Sequence, residues 1–172
     1  MENKSREDFA TSIHFLRSIL DKATSFSEHL DTQLNILIGV SVAIFAFAAT
    51  KFGINREASL FDIIGFFSAA SATVALLAIH PPKFMRKRGQ AESLMYNKKI
   101  IEFESPLDYQ SALIEVMRNN EHIIQQYASE TYNLYKYYYR PKRRLYKIAR
   151  NLLMLGVILS LLIAITNYLH LY

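Results

Sequence analysis

The chain has 172 residues, enough for one domain of ordinary size, and its 20 Lys and Arg residues exceed its 15 Asp and Glu residues. It contains no cysteine, which excludes disulfides, thiolate catalysis and cysteine-ligated zinc or iron–sulfur sites. Its five histidines form no His-x-x-x-His pair, and we therefore expect no metal site and no other cofactor.

Residues 1–30 predict an amphipathic helix on the cytosolic side of a membrane. Apolar side chains recur there at steps of four and three, at Phe9, Ile13, Leu16, Leu20 and Ala23. The charges on the other faces are mixed and slightly acidic. This pattern favours packing on other helices, since helices that lie on a bilayer surface are usually rich in Lys and Arg.

Three stretches of the chain carry almost no charge. Residues 34–50 and 152–172 contain no Asp, Glu, Lys or Arg, and residues 60–79 contain Asp62 alone. Each stretch is close to the ~20 residues that cross a ~30 Å hydrocarbon layer as a helix. A helix of a soluble bundle would carry charges on its wet face. The sequence therefore predicts an all-α membrane protein, with a two-helix transmembrane hairpin at 31–80 and a third transmembrane helix at 149–172.

Residues 81–148 predict a cytosolic helical region between the second and third crossings. Ser105 followed by Pro106 is a helix-start signature. From Glu121 the helical pattern continues, and we expect a long helix that enters the last crossing and bends near Pro141. Between the second and third crossings Lys and Arg outnumber acids by fourteen to seven, so the positive-inside rule places this region and the amino terminus in the cytoplasm.

Three polar side chains stand at the start of the first crossing, namely Asp31, Gln33 and Asn35, and we call them the polar mouth. An acid or an amide in lipid is costly unless it is paired, which leaves two interpretations open. In the first, Asp31 and Gln33 lie among headgroups and Asn35 makes one interhelical hydrogen bond. In the second, the mouth lines a water-filled opening in an oligomer and attracts cations. Asp62 is then a second ring of the same kind or an interfacial cap.

Two clusters contain ten of the chain's 20 basic residues. One follows the second crossing and consists of Lys83, Arg86, Lys87 and Arg88. The other precedes the third crossing and consists of Arg140, Lys142, Arg143, Arg144, Lys147 and Arg150. One interpretation is attraction to anionic headgroups, at about 1 kcal/mol per residue. The other is a phosphate site for a nucleotide or RNA, formed by the first cluster with Arg140, Arg143 and Arg144 and by stacking on the tyrosines between residues 127 and 139.

The segment "RNNEH" places Arg118 four residues before His122. On one helix face, this pair could serve a metal-free ribonuclease, with the histidine as base and the arginine on the phosphate. The spacing is one residue shorter than the usual nuclease pattern. No nucleophile elbow, phosphate loop or paired-carboxylate motif is present, so we expect that the protein is not an enzyme.

Four segments together carry a family resemblance. They are "LDTQLNILIGVSVAIF" in the first crossing, "ALLAIHPPKF" at the end of the second, "SPLDYQSALIEVM" in the cytosolic region, and the run from "EHIIQQYASETYNLYKYYYRPKRR" into the last crossing. In this order they resemble the PycTM-type transmembrane effectors of Pycsar anti-phage systems, from about residue 10 onward. Pro141 interrupts the basic run and departs from the family pattern, which puts the continuity of the last helix in question.

The resemblance implies an effector in the bacterial inner membrane that responds to a cyclic pyrimidine mononucleotide made on infection. The architecture is also similar to the pore-forming membrane accessory protein of type VI-B CRISPR systems, to which "RNNEH" would be the link at residue level. We therefore predict a homo-oligomeric anti-phage effector that impairs the membrane through a pore or leak. The alternatives are an accessory pore subunit of an RNA-targeting system and a passive anchor for a cytosolic defence protein.

Overall fold

The computed structural model describes residues 2–51, 59–82 and 93–170, and every regular element among them is helical. In chain order the elements are α1 (Glu2–Ala49), α2 (Ser59–Ile79), α3 (Asn97–Ile101), α4 (Pro106–Met117), α5 (Asn120–Asn133), a π-helical segment (Leu134–Tyr139) and α6 (Arg140–His170). Within these described ranges, three helices are long and apolar enough to cross a membrane: α1, α2 and the helix that ends in α6. The predicted all-α membrane fold is confirmed.

The chain divides into two compact units. The membrane unit contains residues 29–83 and 141–172, and the α4–α5 unit contains residues 1–28 and 84–140. All three uncharged stretches of the sequence fall within the membrane unit.

Helices α1 and α2 form an antiparallel hairpin in the membrane unit. The Ser41 hydroxyl donates to the Ser71 hydroxyl at 3.1 Å, and the Phe47 and Phe61 rings meet edge to face with centroids 6.1 Å apart. The later residue of α1 thus contacts the earlier residue of α2, as in an antiparallel pair. The Ser71 hydroxyl thus accepts the Ser41 proton inside an apolar unit, where an unpaired hydroxyl would be costly.

Helix α6 packs antiparallel to α2. The Ser71 hydroxyl donates to the Ala149 carbonyl oxygen at 2.8 Å, and the Ser160 hydroxyl approaches the Leu60 carbonyl oxygen at 3.4 Å. Because both α1 and α6 run antiparallel to α2, the amino-terminal ends of α1's membrane part and of α6 lie at the same end of the unit.

Small side chains line the contacts among these three helices. A methyl group added at Gly156 of α6 would lie 2.5 Å from the Cβ of Phe67 on α2, so glycine sets how closely these two helices approach. The buried positions of α2 are also small: Gly65, Ser68, Ser71, Ala72, Ala75 and Ala78. In lipid the tails are as apolar as the side chains, and close packing through small residues is what holds helices together.

In the α4–α5 unit, α4 begins at the predicted signature. The Ser105 hydroxyl accepts a hydrogen bond from the Asp108 backbone N–H at 3.2 Å, and Pro106 occupies the first turn. The turn before α3 is held by side chains of the later helices. The Leu94 N–H donates to Gln126 Oε1 at 2.7 Å, and the Tyr109 hydroxyl donates to the Leu94 carbonyl oxygen at 3.2 Å.

The backbone stays helical through Pro141. Proline has no N–H and its ring crowds the carbonyl four residues earlier, so an ordinary α-turn there would lose a bond and clash. The π-helical segment lies immediately before Arg140 and Pro141. At its end, the Arg140 N–H donates to the Tyr135 carbonyl oxygen, five residues earlier. The wider turn accommodates the proline, and the last helix is continuous from residue 120 to residue 169.

Candidate functional site at the polar mouth

Asp31 of the polar mouth forms an ion pair with Lys142 of α6. The Lys142 Nζ lies 2.5 Å from Asp31 Oδ1, and both residues belong to the membrane unit. The lysine side chain is only 4% exposed, whereas the aspartate side chain is 43% exposed. The carboxylate is thus half-open to its surroundings while the ammonium lies inside the unit. The pair joins the first and third crossings at one end.

A buried ammonium requires a counter-charge, because its desolvation is not offset by apolar neighbours. Asp31 supplies that charge. The sequence interpretation grouped Lys142 with the headgroup-facing basic cluster, and the structure instead places it on the inward face of α6. One signal in the sequence was available: Lys142 lies on the same helical stripe as Leu145, Ala149 and Gly156, which are all buried.

The other two residues of the mouth have different surroundings. The Gln33 side-chain amide lies 3.0 Å from the His29 ring nitrogen one turn earlier, so it is engaged within α1. Asn35 is exposed on the outer surface of α1. Among the residues that the structure describes, the Asn35 side chain makes no interhelical hydrogen bond, and its role stays a prediction.

Asn35 belongs to a face of α1 that we call the polar stripe. Its members recur at steps of three and four, are small or polar, and are all exposed: Thr32, Asn35, Gly39, Ala43 and Ala46. Gly39 has no atom within 4 Å of an added methyl group.

The packed face of α1 consists of Leu30, Leu34, Leu37, Ser41 and Ala48. Gly39 and Ser41 are two residues apart, which is about 200° around the helix. The polar stripe and the packed face therefore lie on opposite sides of α1.

Asp62 is exposed in the first turn of α2. A carboxylate in this position interacts favourably with the positive end of the helix dipole. The geometry agrees with an interfacial cap, and the alternative role in a pore ring stays a prediction.

The basic residues around α6 fall into two groups. Arg143 and Arg144 are exposed in the membrane unit, and Arg140 is exposed at the end of the α4–α5 unit. The first basic cluster, Lys83, Arg86, Lys87 and Arg88, lies outside the described residues. The phosphate-binding role proposed for both clusters stays a prediction.

The tyrosine-rich segment has an organised cation at its centre. Lys136 donates to the Tyr132 hydroxyl and lies over the rings of Tyr132 and Tyr137, at 4.6 and 5.6 Å from their centroids. The hydrogen bond to Tyr132 raises the pKa of Lys136. Tyr132 and Tyr137 share a face although they are five residues apart, because the π-helical turn brings residues at this spacing together.

Arg118 and His122 do not lie on one helix. Arg118 ends α4, and His122 lies in the first turn of α5, whose amino end is capped by the Asn119 side chain. The Asn119 Oδ1 accepts from the Glu121 N–H at 2.9 Å. Both residues are exposed. The prediction that Arg118 and His122 share one helix face, on which the ribonuclease hypothesis depended, is therefore wrong.

Within the residues that the structure describes, no group of three or more His, Cys, Asp or Glu side chains is placed to hold a metal ion.

Three helices able to cross a bilayer, with charged and amide groups gathered at one end, define a multi-pass membrane protein of the all-α class. The family model of PycTM, described as the Pycsar effector protein domain, matches residues 15–169. The chain belongs to this family of membrane effectors in anti-phage defence. Comparisons with curated proteins and with solved structures found no match.

Proposed function

We propose that this protein oligomerises in the bacterial inner membrane and opens a pore or leak when an infection signal binds. The observation that carries the proposal is the polar stripe of α1. It lies in a membrane-crossing helix, yet it presents the Asn35 amide and Gly39 away from the chain's own packing. Lipid gains nothing from this stripe, whereas another copy of α1 gains close backbone contact at Gly39 and a hydrogen bond at Asn35.

Two arrangements of the stripe fit this proposal. In one, stripes of neighbouring copies pack against each other, since small residues allow close approach of the backbones. In the other, stripes surround a common axis and line a water-filled path. In both, α1 lies at the centre of the oligomer, and the mouth residues Asp31 and Gln33 stand at the end of the opening.

The outer face of α6 supports this placement. The exposed basic residues Arg143 and Arg144 precede its uncharged part and fit contact with anionic headgroups at the cytoplasmic surface. The amino terminus and residues 81–148 then lie in the cytoplasm. That orientation follows from the excess of basic residues between the second and third crossings.

The signal in this proposal is a cyclic mononucleotide, in keeping with the family's place in Pycsar defence. A ligand opens the pore only if it binds the open state more tightly than the closed state. The tyrosines of the π-helical segment with Lys136 and Arg140 offer ring faces and positive charge on the cytoplasmic side. The action is physical and includes no catalytic step.

The experiment is a leak assay in vesicles of phosphatidylethanolamine and phosphatidylglycerol that contain the purified protein and an entrapped dye. We expect cyclic CMP or cyclic UMP to start dye release, and cyclic AMP at the same concentration to serve as the control. Asn35→Leu should reduce the triggered release, whereas Leu162→Ala on the outer face of α6 should not. Vesicles that stay intact with every nucleotide would contradict the proposal.

A passive anchor for a cytosolic defence protein is the second candidate. It is favoured by large apolar side chains that stand exposed in the α4–α5 unit: Ile101, Leu107 and Met117, at 82%, 71% and 70%. An anchor predicts a monomer in detergent and intact vesicles under all conditions of the leak assay. The same experiment therefore separates the two functions.

A further inference from the structure

Lys142 has a position that the family's basic pattern does not explain. It is one of several basic residues before the last crossing, but its side chain is 4% exposed, whereas Arg143 and Arg144 are exposed. Attraction to headgroups requires an accessible cation. The role of Lys142 must therefore come from what it contacts inside the membrane unit, and Asp31 Oδ1 lies 2.5 Å away.

The pair has two physical consequences. First, it ties α1 to α6 at one end of the unit, because separating the two charges would leave the buried ammonium without its counter-ion. Second, it offsets the charge of Asp31, the acid that would attract cations at the mouth. The structure thus shows α1 and α6 joined at the mouth and the mouth carboxylate neutralised.

We propose that the Asp31–Lys142 ion pair is a latch that holds the closed state, and that activation separates the two side chains. The inference rests on the proposed pore function and deepens it. Separation frees α1 from α6 at the mouth and leaves the Asp31 carboxylate facing the opening. A single event then both releases the helices and makes the opening attractive to cations.

The position of Lys142 in the chain suits this role. It follows Pro141 and the π-helical segment, on a helix that is continuous from residue 120 to residue 169. A π-helical turn holds one residue more than an α-turn, and its return to α-geometry would turn the following residues by about 100°. A turn of that size would carry the Lys142 side chain away from Asp31. A signal bound before this segment therefore has a direct route to the latch.

The test measures leak without any nucleotide, in the same vesicles and with the full-length protein. We expect Asp31→Asn and Lys142→Met each to raise the nucleotide-independent leak rate at least tenfold over the wild type. The exchange variant Asp31→Lys with Lys142→Asp restores an ion pair and should return the leak to within threefold of the wild type. Lys51→Gln removes an exposed charge at the other end of α1 and serves as the control, with an unchanged leak rate.

A second measurement keeps the test decisive if a variant folds poorly. The chain has no cysteine, so Ile36→Cys with Lys147→Cys gives two unique sites for spin labels on α1 and α6. With labelled protein diluted in unlabelled protein, the distance between the labels should widen when Lys142→Met is added. It should also widen when the nucleotide is added to a chain with an intact ion pair.

The outcomes separate the latch from the pore. If the wild type leaks with nucleotide while both single variants stay closed without it, the latch is wrong and the pore stands. If the wild type never leaks but Lys142→Met widens the label distance, the latch stands and the pore is wrong. An unchanged distance in Lys142→Met overturns the latch whatever the vesicles show. Leak in the exchange variant as fast as in the single variants also overturns it.

Discussion

The outer surfaces of α1 and α6 differ in the side chains that they present. On α6, the side opposite the buried stripe carries exposed large aliphatic residues: Leu155, Ile158, Leu162 and Ile165. On α1, the side opposite the packed face is the polar stripe, in which Asn35 and Gly39 stand where α6 has branched aliphatic groups. Both helices cross the same unit, yet the exposed residues of α6 between 155 and 165 are all apolar, whereas the polar stripe of α1 includes an exposed amide.

The difference indicates which helix meets its own copies. Aliphatic side chains gain nothing by leaving lipid for another helix, whereas an amide gains a hydrogen bond and a glycine allows close backbone contact. The asymmetry places α1 toward the centre of an assembly and α6 toward the bilayer. Substitutions on the packed and exposed sides of α1 and α6 test whether α1 faces other copies and α6 faces lipid.

The largest effect on stability is expected from a substitution of Gly156, the glycine at the contact between α6 and α2. Gly156→Leu forces atoms into the space held by Phe67, which lies 2.5 Å from the added Cβ, and α6 and α2 must separate. Overpacking of this kind costs about 1–3 kcal/mol, and leucine exceeds a single methyl group. We expect a clear loss of thermal stability in detergent, read from the circular dichroism of the helices.

Gly39→Ala is the matched control for that experiment, because an added methyl group at Gly39 meets nothing within 4 Å. Its melting temperature should equal or slightly exceed that of the wild type, since alanine favours helix by up to about 1 kcal/mol. If Gly39→Ala lowered the melting temperature as much as Gly156→Leu does, Gly39 would have to be packed against another helix of the same chain, as Gly156 is.

The next effect concerns association rather than folding. Gly39→Leu leaves the chain's own packing untouched but fills the polar stripe, and we expect association at least tenfold weaker, equivalent to about 1.4 kcal/mol. Mass photometry across a dilution series measures the change. Leu162→Ala on α6 is the control and should leave the oligomer unaffected. Equal weakening by both variants would contradict the asymmetry of the two surfaces.

A smaller effect is expected from the amide alone. Asn35→Leu makes the stripe more like the outer face of α6 and removes one interhelical hydrogen bond. Such bonds average about 0.6 kcal/mol in membrane proteins, which is roughly a threefold weakening of association. The same dilution series reads it, and Asn35→Gln should retain part of the association. Tighter association in Asn35→Leu would place the stripe against lipid.

An effect of similar size, on folding rather than on association, is expected among the buried serines. Ser71→Ala removes the hydroxyl that connects Ser41 to the Ala149 carbonyl oxygen, at a cost of about 0.6 kcal/mol. Ser68→Ala is matched in burial, but the Ser68 hydroxyl has no hydrogen-bond partner among the described residues, so its loss should be neutral or stabilising. Chemical unfolding in mixed micelles compares the two. A greater loss in Ser68→Ala would mean that its hydroxyl is bonded in the membrane.

The sequence by itself determined the features that depend on neighbouring residues. Charge-free runs identified three crossings because each must span the bilayer on its own. The cap at Ser105 was readable because its partner, the Asp108 N–H, is three residues away. The pattern also located the polar mouth, and the roles of its residues in a pore stay predictions. The break between Arg118 and His122 was missed, although Asn119 is a preferred residue type for a helix cap.

Only the tertiary structure decided how the distant parts combine. Asp31 and Lys142 are 111 residues apart, and although Lys142 shares a helical stripe with Leu145 and Ala149, no local signal identifies Asp31 as its partner. Its inward position follows from the rotation of α6 against α2, which close contacts such as that of Gly156 with Phe67 fix. Likewise, Asn35 became an outward residue because Leu34, Leu37 and Ser41 took the inner face. The packing of all three helices selects one rotation of each helix about its axis. The free energy that favours this rotation comes from contacts between helices, so it cannot be derived from the sequence of one segment.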